Sequence, residues 1–265
     1  PRKIVVVHGH GGGEVKALAF VPDGRTLAAV TSNGKATIWD VESRSLLQGP
    51  FSVAQGAVFG VSISEDGTML ATAGGLVFSG GTNDRYVEEL RLSAQAAVDA
   101  CVERGFADRE RIVVGGHSYG AFSAVNCLAH TKLFRAGLAS DGAYNRTLTP
   151  FTFQAETRNL WEAKDTYLQM SPFLYAGQID APLLLAHNQD DTNVGTAPMQ
   201  SDRLFEALNG LGKTAQLVQY PYEDHGPAAR ETVLDYWARA LEWFDRYAKN
   251  APARGGVAPA AAPTP

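Results

Sequence analysis

The sequence predicts an α/β protein: a parallel sheet flanked by helices, with a smaller antiparallel β segment in front of it. Three observations lead there. After residue 82, apolar strand-like runs alternate with helix-length amphipathic runs, which is the pattern of a parallel sheet. Before residue 82, short β-rich runs are separated by Asp-Gly and Asn-Gly, the dipeptides of tight hairpins. Within the α/β part, the apolar run 111–114 enters Gly116-His117-Ser118-Tyr119-Gly120 and a helix-like segment follows, so strand, sharp turn and helix come in succession.

Composition sets the outer bounds. A chain of 265 residues is long enough for one large domain or two small ones. With 45% apolar and 19% charged residues it builds a core without disorder dominating. A net charge of -5 argues against nucleic acid or an anionic membrane as the main partner. No apolar run approaches the roughly 20 residues of a membrane helix. Cys101 and Cys127 fall in helix-like segments and read as small buried hydrophobes rather than a disulfide or a metal pair. The chain opens on Pro1 with neither an initiator Met nor a signal peptide, so a fragment or processed product is expected. The compartment is not legible from that start; the lack of a signal or a membrane span favours the cytoplasm.

Residues 1–81 read as short strands. The run 15–20 alternates, Pro22-Asp23-Gly24 turns, 26–31 follows, and Asn33-Gly34 leads into 35–41. The pattern then repeats. Val15, Phe20, Asp23, Gly24, Leu27 and Ala28 correspond to Val58, Ile63, Asp66, Gly67, Leu70 and Ala71, at a constant offset of 43 residues. A period of roughly 40–45 residues with four strands per unit is that of a β-propeller blade. His10 with Gly11-Gly12-Gly13, the Pro22-Asp23-Gly24 turn and the closing Ile38-Trp39-Asp40 resemble the Trp-Asp repeat family. The second unit lacks that ending and becomes Leu76-Val77-Phe78-Ser79-Gly80-Gly81. Propellers typically need at least about four blades, so this segment is expected to be incomplete: a remnant of a longer propeller, or a meander packed on the α/β part. A rival reading takes Lys3-Ile4-Val5-Val6-Val7-His8-Gly9 as a strand of the α/β part whose His-Gly turn builds an oxyanion hole. The blade-like residues after Gly13 favour the first reading.

From residue 82 to 250 the texture is α/β. Asn83-Asp84 caps a helix over 85–104, with Val87, Leu90, Ala94, Ala97, Val98 and Cys101 at helical spacing. Strand 111–114, the sharp turn and helix 121–129 come next. Strand 136–140 leads into the polar-aromatic segment 141–169. The continuous apolar run 182–187 reads as a strand covered on both faces. Helix 199–211, strand 214–220 and helix 232–248 complete the unit, the last with Trp237, Leu241 and Phe244 expected inward. The Ala/Pro/Gly-rich residues 251–265 read as a disordered tail.

The chemistry gathers on three loops. Gly-x-Ser-x-Gly between a strand and a helix is a nucleophile elbow, in which flanking glycines allow a tight turn and the serine takes a strained backbone angle. A serine hydroxyl needs a base within hydrogen-bond reach, and the base needs an acid to hold its tautomer. α/β-Hydrolases supply these in the order Ser, Asp or Glu, His, each on a loop after a strand. Here Ser118 follows one strand, Asp190-Asp191 another, and His225 in Glu223-Asp224-His225-Gly226 a third. The backbone N–H of Tyr119, at the start of the following helix, is the candidate oxyanion donor. The expected architecture is therefore an α/β-hydrolase-type sheet, with its first strands missing from the pattern.

Residues 82–248 resemble the peptidase domain of the prolyl oligopeptidase family, in its glutamyl-peptidase-like branch. The resemblance rests on Asn83-Asp84-Arg85-Tyr86-Val87-Glu88, on Gly115-Gly116-His117-Ser118-Tyr119-Gly120-Ala121, and on Gly142-Ala143-Tyr144-Asn145-Arg146-Thr147-Leu148-Thr149-Pro150. Pro198-Met199-Gln200-Ser201-Asp202-Arg203 and His225-Gly226 complete it. It implies a serine peptidase with a propeller in front, peptide as substrate and no cofactor. It also implies that the acid is Asp191, four residues beyond His187, although this chain has Asn188 where the family usually has Gly. The family's second oxyanion donor, a tyrosine hydroxyl, sits on strands with no counterpart assigned here. An elbow strand without those neighbours leaves a sheet edge that residues 1–81 are expected to cover.

The remaining candidates carry plainer alternatives. Tyr144, Arg146 and Arg158 are candidate substrate contacts, the arginines for an acidic side chain, against packing or structural pairing. Trp161, Tyr167 and Phe173 either line the site or pack in the core. His117, His130 and His187 read as structural, and Asp40 as holding a blade turn. No spacing of metal ligands, phosphate loop or dinucleotide fingerprint is present. An esterase would use the same machinery, and a non-catalytic module binding a protein partner through the β segment is the reading from another class.

Overall fold

A computed structural model of the chain describes residues 15–20, 25–31, 33, 35–52, 58–63, 70–74, 83–103, 105, 107–153 and 156–252. Strands β1 (Val15–Phe20), β2 (Thr26–Thr31), β3 (Lys35–Asp40) and β4 (Ser45–Ser52) form an antiparallel meander in the order β1-β2-β3-β4. That is one complete four-stranded unit, whose fourth strand the sequence pattern did not single out. Trp39 and Asp40 close it from within. The Trp39 indole donates to Thr37 Oγ1 at 2.9 Å, and Asp40 accepts from Arg25 Nε at 2.6 Å and from the Ser43 amide at 2.8 Å.

The 43-residue offset reappears as geometry. Strands β5 (Val58–Ile63) and β6 (Leu70–Gly74) form an antiparallel hairpin. Phe20 opposes Leu27 in the first unit and Ile63 opposes Leu70 in the second. Each ladder slips at the same place, after Val15 and after Val58. The expected turn Pro22-Asp23-Gly24, the glycines at 11–13, the rival strand at 3–9 and the tail beyond Pro252 lie outside the described residues.

The α/β part begins with a 3₁₀ turn, Asn83–Arg85, and helix α1 (Tyr86–Glu103). Next in order are β7 (Val114–His117), α2 (Tyr119–His130), β8 (Gly137–Ser140), α3 (Lys164–Gln169), β9 (Leu183–Asn188), α4 (Met199–Gly210), β10 (Ala215–Tyr220) and α5 (Arg230–Phe244). The four strands are parallel, in the order β10-β9-β8-β7. All six residues of β9 are buried because helices cover both faces. On one face Leu183 and Leu185 pack with Ala121, Val125 and Leu128 of α2 and Leu204 and Leu208 of α4. On the other, Leu184 meets Ala240 and Trp243 of α5. Helix α1 packs on α2 through Tyr86, Leu90, Phe122 and Cys127.

Two expectations shift. The elbow strand is Val114–His117, three residues beyond the predicted 111–114. Glycines 115 and 116 have poor strand propensity, but their backbone pairs in register with Leu138 and Ala139. Helix α5 is turned from its predicted face: Ala240 and Trp243 are buried with Phe244 packed against them as expected, whereas Trp237 and Leu241 are exposed. Both stripes have helical spacing, so periodicity alone does not choose between them. Strand β7 pairs only with β8 among the described residues. The β5–β6 hairpin lies against β7 without joining the sheet.

Candidate active site

Loops at the carboxyl ends of β7, β8, β9 and β10 converge, as expected for ligand sites of parallel sheets. Ser118 follows β7 and precedes α2, with φ 57° and ψ -118°. Few non-glycine residues adopt that conformation. The turn is tight at one flank only. A Cβ on Gly116 would lie 2.3 Å from the carbonyl carbon of Gly120, whereas a Cβ on Gly120 would meet nothing within 4 Å. The expectation that both flanking glycines avoid a clash therefore holds for Gly116 and not for Gly120.

His225 Nε2 lies 2.8 Å from Ser118 Oγ, and His225 Nδ1 lies 2.9 Å from Asp191 Oδ2. The Asp191 carboxylate is fully buried; its other oxygen accepts from the Asn193 amide at 2.9 Å and from Thr196 Oγ1 at 3.2 Å. Asp190, the other candidate acid, is exposed, and its amide bonds to the Glu223 carbonyl at 3.0 Å. The acid and histidine loops are tied again by Asp224, which accepts from the Thr192 amide at 2.8 Å and its hydroxyl at 2.9 Å. Glu223 accepts from the amides of Ala228 and Ala229 just ahead of α5. A hydroxyl, an imidazole and a carboxylate joined in this way can pass a proton from the hydroxyl and stabilise the imidazolium that results.

The profile of the prolyl oligopeptidase family matches residues 93–251. The chain belongs to the prolyl oligopeptidase family. The WD domain, G-beta repeat, matches residues 1–40. A probable glutamyl endopeptidase, chloroplastic, of Arabidopsis thaliana is 54% identical over 166 residues, covering 62% of this chain and 17% of that protein. The chain thus spans less than a fifth of that relative's length. The solved acylaminoacyl peptidase of Pyrococcus horikoshii shares the fold, with a TM-score of 0.57 at 24% identity, over 66% of this chain and 30% of that one. An acylaminoacyl peptidase solved in complex with Z-Gly-Gly-Phe-chloromethyl ketone is 27% identical, with a TM-score of 0.52, over 58% of this chain and 26% of that one. No helix among the described residues is long and apolar enough to cross a membrane.

In this prolyl oligopeptidase family chain a cavity of about 230 Å³ opens beside Ser118, lined among others by Tyr119, Arg146, Thr149, Phe153 and Val194. Arg146 is 5% exposed and has no ion pair among the described residues. Its guanidinium stacks on Phe122 at 4.1 Å and Phe153 at 4.3 Å, with Tyr119 at 5.7 Å. Its Nε has no hydrogen-bond partner among the described residues. Burial draws this group down to about 10, below its ordinary value. Arg158 differs: Glu156 and Asp84 hold it at 2.8–2.9 Å, so its charge is already matched. Tyr144 lies fully buried in the core and does not line the cavity; its neighbour Ala143 does. Tyr167 is likewise buried, while Trp161 is exposed and Phe173 packs at the edge of the core.

The histidines other than His225 separate by surroundings. His187 is fully buried, with Nδ1 2.6 Å from Ser201 Oγ and Nε2 2.7 Å from the Thr196 carbonyl. His130 packs on the Tyr175 ring. The His117 ring lies 4.7 Å from that of His225, and burial draws its pKa below the usual histidine value. Asp141, not singled out in the sequence, is fully buried at φ 52° and accepts from the Asn188 amide at 2.8 Å. Ligand atoms of Asp141, His187 and Asp191 lie within 4.8 Å of one another. Each of the three is engaged by protein donors or acceptors, so they act as a hydrogen-bonded bed under the acid loop. A positive φ is invisible to residue patterning, and Asp141 offered no other signal.

Proposed function

We propose that this chain carries the catalytic centre of a serine peptidase that cleaves after an acidic residue. Ser118 attacks the scissile carbonyl as His225 Nε2 takes its proton. Asp191 holds the imidazole and stabilises its charged form, and the Tyr119 N–H stabilises the oxyanion at the start of α2. Collapse of the tetrahedral intermediate breaks the C–N bond, and His225 returns the proton to the leaving amine. Water then repeats the sequence to release the acyl group. The unbroken path from Asp191 through His225 to Ser118, on a strained elbow in a member of this family, carries the reading.

The preference for an acidic residue is supported by Arg146, a buried cation without an ion pair among the described residues, lining the cavity beside Ser118. A substrate carboxylate would supply the missing partner. The name of the Arabidopsis relative, a probable glutamyl endopeptidase, agrees with that chemistry. The β segment, 1–81, and the hydrolase part, 82–250, are proposed as separate units. The test is labelling with a fluorophosphonate probe, followed by peptide mapping. Label on Ser118, lost in Ser118→Ala, is the expected result. A folded chain that takes no label, or a Ser118→Ala chain that keeps it, overturns the assignment.

A further inference from the structure

Gln200 sits in the first turn of α4, 3% exposed, and does not line the cavity. A primary carboxamide offers two donors and one oxygen with two lone pairs, and here all are used. Oε1 accepts from the amides of Tyr144 at 3.0 Å and Asn145 at 2.9 Å. Nε2 donates to the carbonyls of Asn145 at 3.2 Å and Gly195 at 3.1 Å. Tyr144 and Asn145 immediately precede Arg146, and Gly195 lies between the cavity-lining residues Val194 and Thr196. One side chain therefore joins two walls of the same cavity.

Both walls have ties besides Gln200. The acid loop has further ties through Asp224, the Glu223 carbonyl and His187. The Arg146 guanidinium is held by aromatic faces, which fix its plane but give no directional hydrogen bond, so its aim rests on its backbone, which Ser171 Oγ holds at the Arg146 amide at 2.9 Å and Gln200 holds at the two residues before it.

We infer that Gln200 is a specificity-positioning residue, acting through Arg146 on discrimination for an acidic side chain. This rests on the acidic-pocket reading. The full chain is compared with Gln200→Met, which removes all four bonds, and with Gln200→Glu. The latter keeps the shape and the two accepted bonds but sets an oxygen against the carbonyls of Asn145 and Gly195. Three readouts are taken: kcat/KM for matched peptides with Glu or Gln at the cleaved residue, the fluorophosphonate labelling rate, and circular dichroism to establish folding. The Glu-over-Gln preference is expected to fall about tenfold in both variants, chiefly through KM, and far more than the labelling rate. In an Arg146→Met background, Gln200→Met should lower it no further, because both act on one interaction. A wild-type chain that labels but has no Glu preference sinks the acidic-pocket reading itself. A wild-type preference that survives in either folded variant, or that falls only in step with labelling, overturns the role of Gln200 while leaving that reading intact.

Discussion

Replacing Arg146 by methionine sets stability against specificity at one position. Burial draws the guanidinium well below its ordinary value, to about 10. At 1.36 kcal/mol per unit, holding that charge costs about 3 kcal/mol in the free protein. A base whose folded pKa is depressed destabilises the fold while charged, and the cost fades only as pH rises above about 10 toward the ordinary arginine value. Stacking on Phe122 and Phe153 returns roughly 0.5–1 kcal/mol each, leaving a net cost of about 1–2 kcal/mol. Arg146→Met should therefore raise the melting temperature by about 2–6 °C, read by calorimetry at pH 7. In the same variant, the lost charge-assisted hydrogen bond to substrate, about 1.5–3 kcal/mol, should lower kcat/KM on a glutamyl peptide by about 10–150-fold. The matched glutaminyl peptide should change little. A variant that melts several degrees lower and keeps its glutamyl preference would make Arg146 a structural strut and refute the reasoning.

The elbow and the histidine loop yield two more expectations. Gly116→Ala should abolish fluorophosphonate labelling, because its Cβ would meet Gly120 backbone at 2.3 Å. Gly120→Ala should keep labelling and gain up to about 1 kcal/mol from helix propensity, so equal damage from both would contradict a turn that is tight at one flank only. The Glu223 carboxyl is held below the usual carboxylate range by the Ala228 amide, the Thr232 hydroxyl and the Ala229 amide. Its stabilisation is present above the unfolded-state pKa and is lost as pH falls through the lower folded value. Melting of the wild type between about pH 6 and pH 3 should therefore fall more steeply than that of Glu223→Gln, and parallel curves would remove Glu223 from this role.

The features legible in the sequence were local in the chain. Strand, turn and helix around Ser118 follow from neighbouring residues, as do the apolar run of β9 and the 43-residue echo between the β units. The order of Ser118, Asp191 and His225 was readable because each ends a run with its own periodicity. Tertiary structure decided every choice between equivalent residues. Asp191 differs from Asp190 in being buried against His225, a partner 34 residues away. Arg158 finds Asp84 across 74 residues and is matched, whereas Arg146 finds aromatic faces and no ion pair among the described residues. The inward face of α5 was settled by which stripe meets Leu138 and Leu184 of the sheet. Gln200 gained its place by reaching a loop 55 residues earlier. Periodicity records which face of an element is apolar; charge compensation and hydrogen-bond satisfaction depend on groups brought together through space, and these separate an unmatched arginine from a matched one.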